Sequence, residues 1–177
     1  MNPKGIILSG GPSSVYSRKA PLPDKKIFEL GIPILGICFG LQVMAKFLNG
    51  KVERGQKREY GKGNLSIRNS RCRLFTGLPK QLQVWNSHGD KLTALPEGFK
   101  AVATTENSGF AAIENTKSRF YGLQFHPEVV HTPKGKTIIS NFVHKICGCG
   151  RKWTMRNYVD QAVEEIREQV GKDKVIL

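Results

Sequence analysis

Three short stretches carry residue types that together could perform nucleophilic acyl transfer. Cys38 falls where an apolar run over 32–38 gives way at once to a helical pattern. A strand turning directly into a helix pushes its corner side chain into solvent and aims helical N–H groups at it, so a thiol there is primed to ionise. Eighty-eight residues later, QFHPE sets His126 just past another apolar run, with Pro127 shaping the turn and Glu128 two residues on. An imidazole can take the thiol proton and later pass it to a leaving group, while a carboxylate holds the ring's tautomer and orientation. Gly10 and Gly11 follow a third apolar run, 27 residues before Cys38 as counted from Gly11. Glycine lets a backbone N–H approach a tetrahedral oxyanion, and the N–H of Phe39, at the helix start, can be the second donor. Each piece also has an ordinary reading. Cys38 alone is equally a small buried hydrophobe, HPE a turn with a hydrogen-bonded histidine, and the glycine pair a phosphate cradle, although Pro12 leaves no immediate helix to aim at a phosphate.

The elements that would position these residues follow from periodicity. Residues 5–8 and 32–38 read as short buried strands, joined through a Pro-containing stretch and a short helix over 24–30 that stops at Gly31. Two buried strands linked by a crossover point to parallel pairing in an α/β sheet. Leu41, Met44, Ala45 and Leu48 recur at helical spacing over 40–48, and Asn49 and Gly50 close that helix. Short β-like pieces follow near 51–54, 63–67, 81–85, 100–105, 109–113 and 119–125, several of them antiparallel in character. Residues 136–146 read as a helix, and a second one runs from Thr154 as N-cap to Val170, with Gly171 ending it and 175–177 resembling the start of a strand.

Length and composition narrow the class. At 177 residues the chain is about one domain on a scale of roughly 150 residues per domain. A hydrophobic share of 39% with a net charge of +14 places it among folded globular proteins rather than disordered ones. No apolar run reaches the roughly 18 residues of a membrane span or forms a signal-peptide core, so a soluble, cytoplasmic protein is expected. Cys38, Cys72, Cys147 and Cys149, spaced 34, 75 and 2 apart, form no disulfide framework. The single CxC offers two ligands where a structural zinc site takes four, so no metal site is expected. Residues 46–80 hold ten Lys or Arg against Glu53 and Glu59, a net of +8. That field could attract phosphate-bearing partners, but Tyr60 and Phe75 are not interleaved as in single-strand binders, which favours a solvated face over nucleic acid.

With these pieces in order, SGGP at 9–12, GICFGLQ at 36–42 and HPE at 126–128 make the sequence resemble a class I glutamine amidotransferase domain. More narrowly, REYG at 58–61, WNSHGD at 85–90, HPEVVHT from His126 and CGCGRKWTMRNYV at 147–159 resemble the amidotransferase half of the GMP synthetases, over essentially the whole chain. The resemblance implies a flavodoxin-like α/β fold with a mainly parallel central sheet plus antiparallel strands. It implies glutamine as substrate, hydrolysed to glutamate and ammonia through a thioester on Cys38, with His126 as base and Glu128 orienting it. Gly11 and Phe39 would form the oxyanion hole; Gly10, Gln42, Asn86, Ser87 and His88 would surround the bound glutamine; Asp90 would face the partner domain. His131 and His144 are left as surface or packing residues.

The same resemblance implies a strand, helix and strand ahead of the piece that opens this chain, and an ATP pyrophosphatase domain beyond its end. The expected organisation is therefore an N-terminally shortened amidotransferase domain over 1–146, followed by a linker and amphipathic helix over 147–177. No cofactor is expected on this chain; ATP and Mg belong to the pyrophosphatase domain or subunit, which is the expected partner and which uses the ammonia to aminate XMP to GMP. Two other readings remain: a catalytically silent interaction module presenting the amphipathic helix to a synthetase, and a basic nucleic-acid binder working through 46–80.

Overall fold

The computed structural model describes residues 2–150, 155–171 and 173, and the side chains of 56–58, 155–157 and 161 lie outside the description. A mixed seven-stranded sheet is built from β1 (Ile6–Leu8), β2 (Ile34–Ile37), β3 (Lys51–Ile67), β4 (Gln81–Ala94), β5 (Lys100–Thr104), β6 (Ala112–Asn115) and β7 (Phe120–Leu123). Its spatial order is β1-β2-β7-β6-β5-β3-β4. β1, β2 and β7 run parallel, with Ile7 opposite Leu35 and Leu35 opposite Tyr121. The remaining pairings are antiparallel. Every residue of β2 is buried, as its unbroken apolar run requires of a strand covered on both faces.

Side-chain alternation along these strands feeds two apolar layers. Ile34 and Phe120 pack with α1 (Phe39–Phe47), whose Leu41, Val43 and Met44 face the sheet. Leu35, Ile37, Leu123 and Phe125 pack on the other face against Leu74, Phe75, Ile138 and Phe142. The expected helix over 136–146 is α2 (Gly135–Ser140) running on into a π-helical turn at Asn141–Ile146. Asn141 Nδ2 donates there to the carbonyls of Leu74 and Thr76, tying the turn to the segment below.

The largest difference from the sequence reading is β3. Two short strands near 51–54 and 63–67 are one strand, paired with β4 along most of its length and bulged between Arg54 and Glu59. Charged and Gly residues hide the strand periodicity in that stretch, while pairing with β4 supplies the backbone hydrogen bonds that hold it. The short helix expected over 24–30 is a 3₁₀ turn, Lys25–Glu29, capped by the Asp24 carboxylate accepting from Lys26 N. α3 (Met155–Val170) exposes Val159, Val163 and Ile166; the Thr154 cap and the strand-like 175–177 lie outside the described residues. No described helix is long and apolar enough to cross a membrane.

Candidate active site

The cleft forms at the carboxyl ends of the parallel strands, where loops after β1, β2 and β7 meet the β3–β4 hairpin. Its volume is about 830 Å³, and Cys38, Gln42, His88, Asp90 and His126 are among its lining residues. Cys38 joins β2 to α1 in a left-handed conformation, φ 50° and ψ −104°. A non-glycine residue held there costs roughly 1–3 kcal/mol and persists only when its surroundings over-determine it. They do so here: Cys38 N donates to the Leu123 carbonyl at 2.7 Å, and Cys38 O accepts from Gln42 N in the first turn of α1. The corner can be this tight because Gly40 has no side chain; a Cβ there would run into the backbone carbonyl of Leu8.

His126 approaches Cys38 from the loop after β7. Its imidazole lines the cleft with Cys38, the two side chains flanking Gly10, and its Nδ1 lies 2.6 Å from Glu128 Oε1. The Cys38 contact, followed by the Glu128 hydrogen bond, pushes the His126 pKa up to about 10 against the opposing effect of burial. Burial pushes the Glu128 carboxyl up, but the His126 hydrogen bond and a backbone donor outweigh it and leave the group below its ordinary range. His126 is therefore an imidazolium across the neutral range. Cys38 Sγ also sits 3.6 Å from the Ser87 carbonyl on β4.

The imidazole's backbone is anchored by a residue that sequence reasoning missed. Thr132 Oγ1 donates to the His126 carbonyl at 2.6 Å and accepts from Trp85 N at 3.0 Å, while His126 N donates to the Trp85 carbonyl. Trp85 in turn stacks with His131, ring centroids 4.4 Å apart. One threonine thus ties the loop of His126 to the strand of Ser87. It closes the HPEVVHT stretch, but nothing local in that stretch reveals its two backbone partners.

Gly10 backs the imidazole: a Cβ there would stand 2.7 Å from His126 Cε1 and 3.8 Å from Cys38 Cβ. Gly11 lies against the Phe39 ring and lines the cleft. Gln42 Nε2 donates to the Asp90 carbonyl at 2.9 Å, so the two residues share one wall. Asn86 lies elsewhere, lining a separate recess of about 230 Å³ with Glu59, Tyr60 and Asn107. Tyr16, Arg54 and Tyr60 join the cleft rim, none of them singled out by a motif. His88 is buried on β4 beside Glu59, a partner that local spacing could not reveal. Among the described residues no group of three or more His, Cys, Asp or Glu could hold a metal ion.

Known proteins share this arrangement of chain. The chain is 52% identical over 175 residues to the GMP synthase [glutamine-hydrolyzing] of Aquifex aeolicus, and 49% identical over 176 residues to that of Staphylococcus aureus strain Newman. Each match covers 99% of this chain and 34% of the relative, so the chain spans about a third of their length. Among solved structures, a Thermotoga maritima glutamine amidotransferase aligns over 94% of this chain and 72% of its own, with 28% identity and a TM-score of 0.64. A candidate GMP synthase component from Thermoplasma acidophilum aligns over 93% of this chain and 76% of its own, with 30% identity and a TM-score of 0.67. The sequence model for "Glutamine amidotransferase class-I" matches residues 1–146, and on that match the chain belongs to the class I glutamine amidotransferases.

Proposed function

We propose that the chain hydrolyses glutamine to glutamate and ammonia on Cys38 and that the ammonia serves the amination of XMP to GMP by a synthetase partner. The observation that carries this reading is the Cys38–His126–Glu128 contact at the edge of the cleft. Cys38 attacks the side-chain amide carbon as the thiolate. The oxyanion so formed lies toward the N–H groups of Gly11 and Phe39, donors that act on charge as it develops. His126 gives its proton to the amide nitrogen, the C–N bond breaks, ammonia leaves, and a γ-glutamyl thioester remains. Neutral His126 then takes a proton from water as the water attacks the thioester, returning glutamate, the thiolate and the imidazolium. Glu128 keeps the imidazolium oriented throughout.

Gln42, Ser87, His88 and Asp90 stand close enough to the nucleophile to define the pocket for the rest of the substrate. In this reading 1–146 is the catalytic unit and 147–177 leads toward an ATP pyrophosphatase domain or subunit, where ATP and Mg would bind. The match of 99% of this chain to about a third of each GMP synthase supports that assignment. The test is ammonia release from glutamine by the wild type and by Cys38→Ala. Release by the wild type that vanishes in the variant is the expected result, and equal rates overturn the reading.

A further inference from the structure

The loop between β1 and the 3₁₀ turn at Lys25–Glu29 belongs to no strand or helix, yet its middle is fixed. Val15 is fully buried there, in the apolar layer that α1 shares with Ile34 and Phe120. Burial outside helix and sheet leaves its carbonyl in need of a donor, because an unpaired buried backbone group costs about as much as a lost hydrogen bond. Lys46 supplies one: its Nζ donates to the Val15 carbonyl at 2.6 Å, and no other donor among the described residues reaches that oxygen. The same ammonium stands 5.2 Å from the centre of the Tyr16 ring, within the range in which a cation is drawn to a ring face.

Lys46 opens the basic stretch over 46–80, but it is half-buried in the last turn of α1, and no carboxylate among the described residues pairs with it. Its charge serves the loop, at a helix end whose dipole favours a cation. Phe39 lies seven residues earlier on α1, two turns and roughly 10 Å along the axis, and so on the same face. Its ring lies against Gly11. One face of α1 thus holds the loop at both ends, Gly11 by an apolar contact in the first turn and Val15 and Tyr16 by a charge in the last. Between these two holds, Pro12, Ser13 and Ser14 line the cleft.

We propose that Lys46 is a positioning residue: its ammonium, bound to the Val15 carbonyl and the Tyr16 ring, holds the loop over 11–16 against the cleft and so fixes the place of the Gly11 N–H. The catalytic consequence rests on the glutamine-hydrolysis reading, in which that N–H meets the oxyanion; the tether itself does not. Lys46 touches no reacting atom and acts through the loop alone.

Lys46→Met keeps the length and apolar stem of the side chain and removes the charge, whereas Lys46→Arg keeps a cation that can both donate and lie over a ring. The loop carries exposed Arg18 and Lys19, so trypsin reads its attachment directly. Cleavage there is expected to be about tenfold faster in the Met variant than in the wild type or the Arg variant, with cleavage elsewhere unchanged, because only the released loop opens more often. Glutaminase kcat, counted per Cys38 that iodoacetamide titrates, is expected to fall about tenfold in the Met variant, part of the roughly 10²–10³ that a full oxyanion donor supplies, while KM changes less than about threefold. The Arg variant restores kcat. Equal cleavage of the loop in wild type and Met variant, an Arg variant as impaired as the Met variant, or a kcat loss that vanishes when counted per titrated thiol overturns the proposal. The wild-type chain gives a test that needs no variant: acetic anhydride should modify Lys46 more slowly than exposed Lys19, and equal rates overturn the tether. Absence of glutaminase activity in the wild type would defeat the functional reading alone; cleavage and acetylation would still decide the tether.

Discussion

His126 Nδ1 and Glu128 Oε1 lie 2.6 Å apart although only one residue separates them in the chain. Pro127 turns the backbone between them, and Thr132 holds the His126 carbonyl from below. The carboxylate therefore addresses one ring nitrogen and leaves the rest of the ring to Cys38.

Replacing Glu128 with Gln keeps the shape but removes the charge that orients and stabilises the imidazolium. Glutaminase kcat should fall by roughly 10²–10⁴, the range of a general acid–base contribution. Steady-state ammonia release measures it, and a loss below threefold would contradict the role given to Glu128.

His126 also links stability to pH. Its folded pKa, about 10, stands above the ordinary histidine value of 6.5. The sign follows: the folded state binds the proton more tightly, so the contribution is complete below about pH 6.5 and is lost as pH rises through about 10. Chemical denaturation at pH 6 and pH 10 should show a smaller drop for His126→Asn than for the wild type. Parallel drops in the two proteins would remove His126 as the cause.

Gly40→Ala should destabilise the fold, against the usual gain of roughly 0.5–1 kcal/mol when Ala replaces a helical Gly. The new methyl meets the Leu8 carbonyl, a backbone atom that cannot swing aside. A cost of roughly 1–3 kcal/mol is expected from such overpacking, with α1 displaced and Cys38 alkylation altered. Unfolding midpoints of the two proteins test this, and a stabilised variant would show that β1 yields.

Thr132→Val is nearly isosteric and removes only the hydroxyl, leaving Trp85 N and the His126 carbonyl without their shared partner. Stability should fall by about 1–3 kcal/mol, the cost of leaving such buried groups unsatisfied. Glutaminase kcat should drop more than the KM for glutamine changes, because the lost anchor serves His126 and not the pocket wall. Kinetics at fixed pH separate the two effects.

The strand-to-helix corner at Cys38 was legible in the chain because its causes are local. An apolar run ending at Cys38 and helical spacing from Leu41 onward force a strand-to-helix turn wherever the rest of the protein lies. The HPE turn was legible for the same reason, and Gly31, at φ +67°, stops its short turn as glycine does. The Gly40 contact with Leu8 was not, since it depends on how closely a helix settles over another strand.

What only the tertiary structure decided is the set of partnerships made across long sequence distances. The contact of Cys38 with His126 depends on β2 and β7 being parallel neighbours, which no spacing of 88 residues can specify. The bulge between Arg54 and Glu59 changes the register of β3, and only the register brings Glu59 opposite His88. Asn86, two residues from His88, opens on the recess instead of the cleft for the same reason of strand placement. Residue type and local period set where the chain turns and which side chains are able to react. Pairing and register, cooperative properties of the whole sheet, set which of those side chains meet.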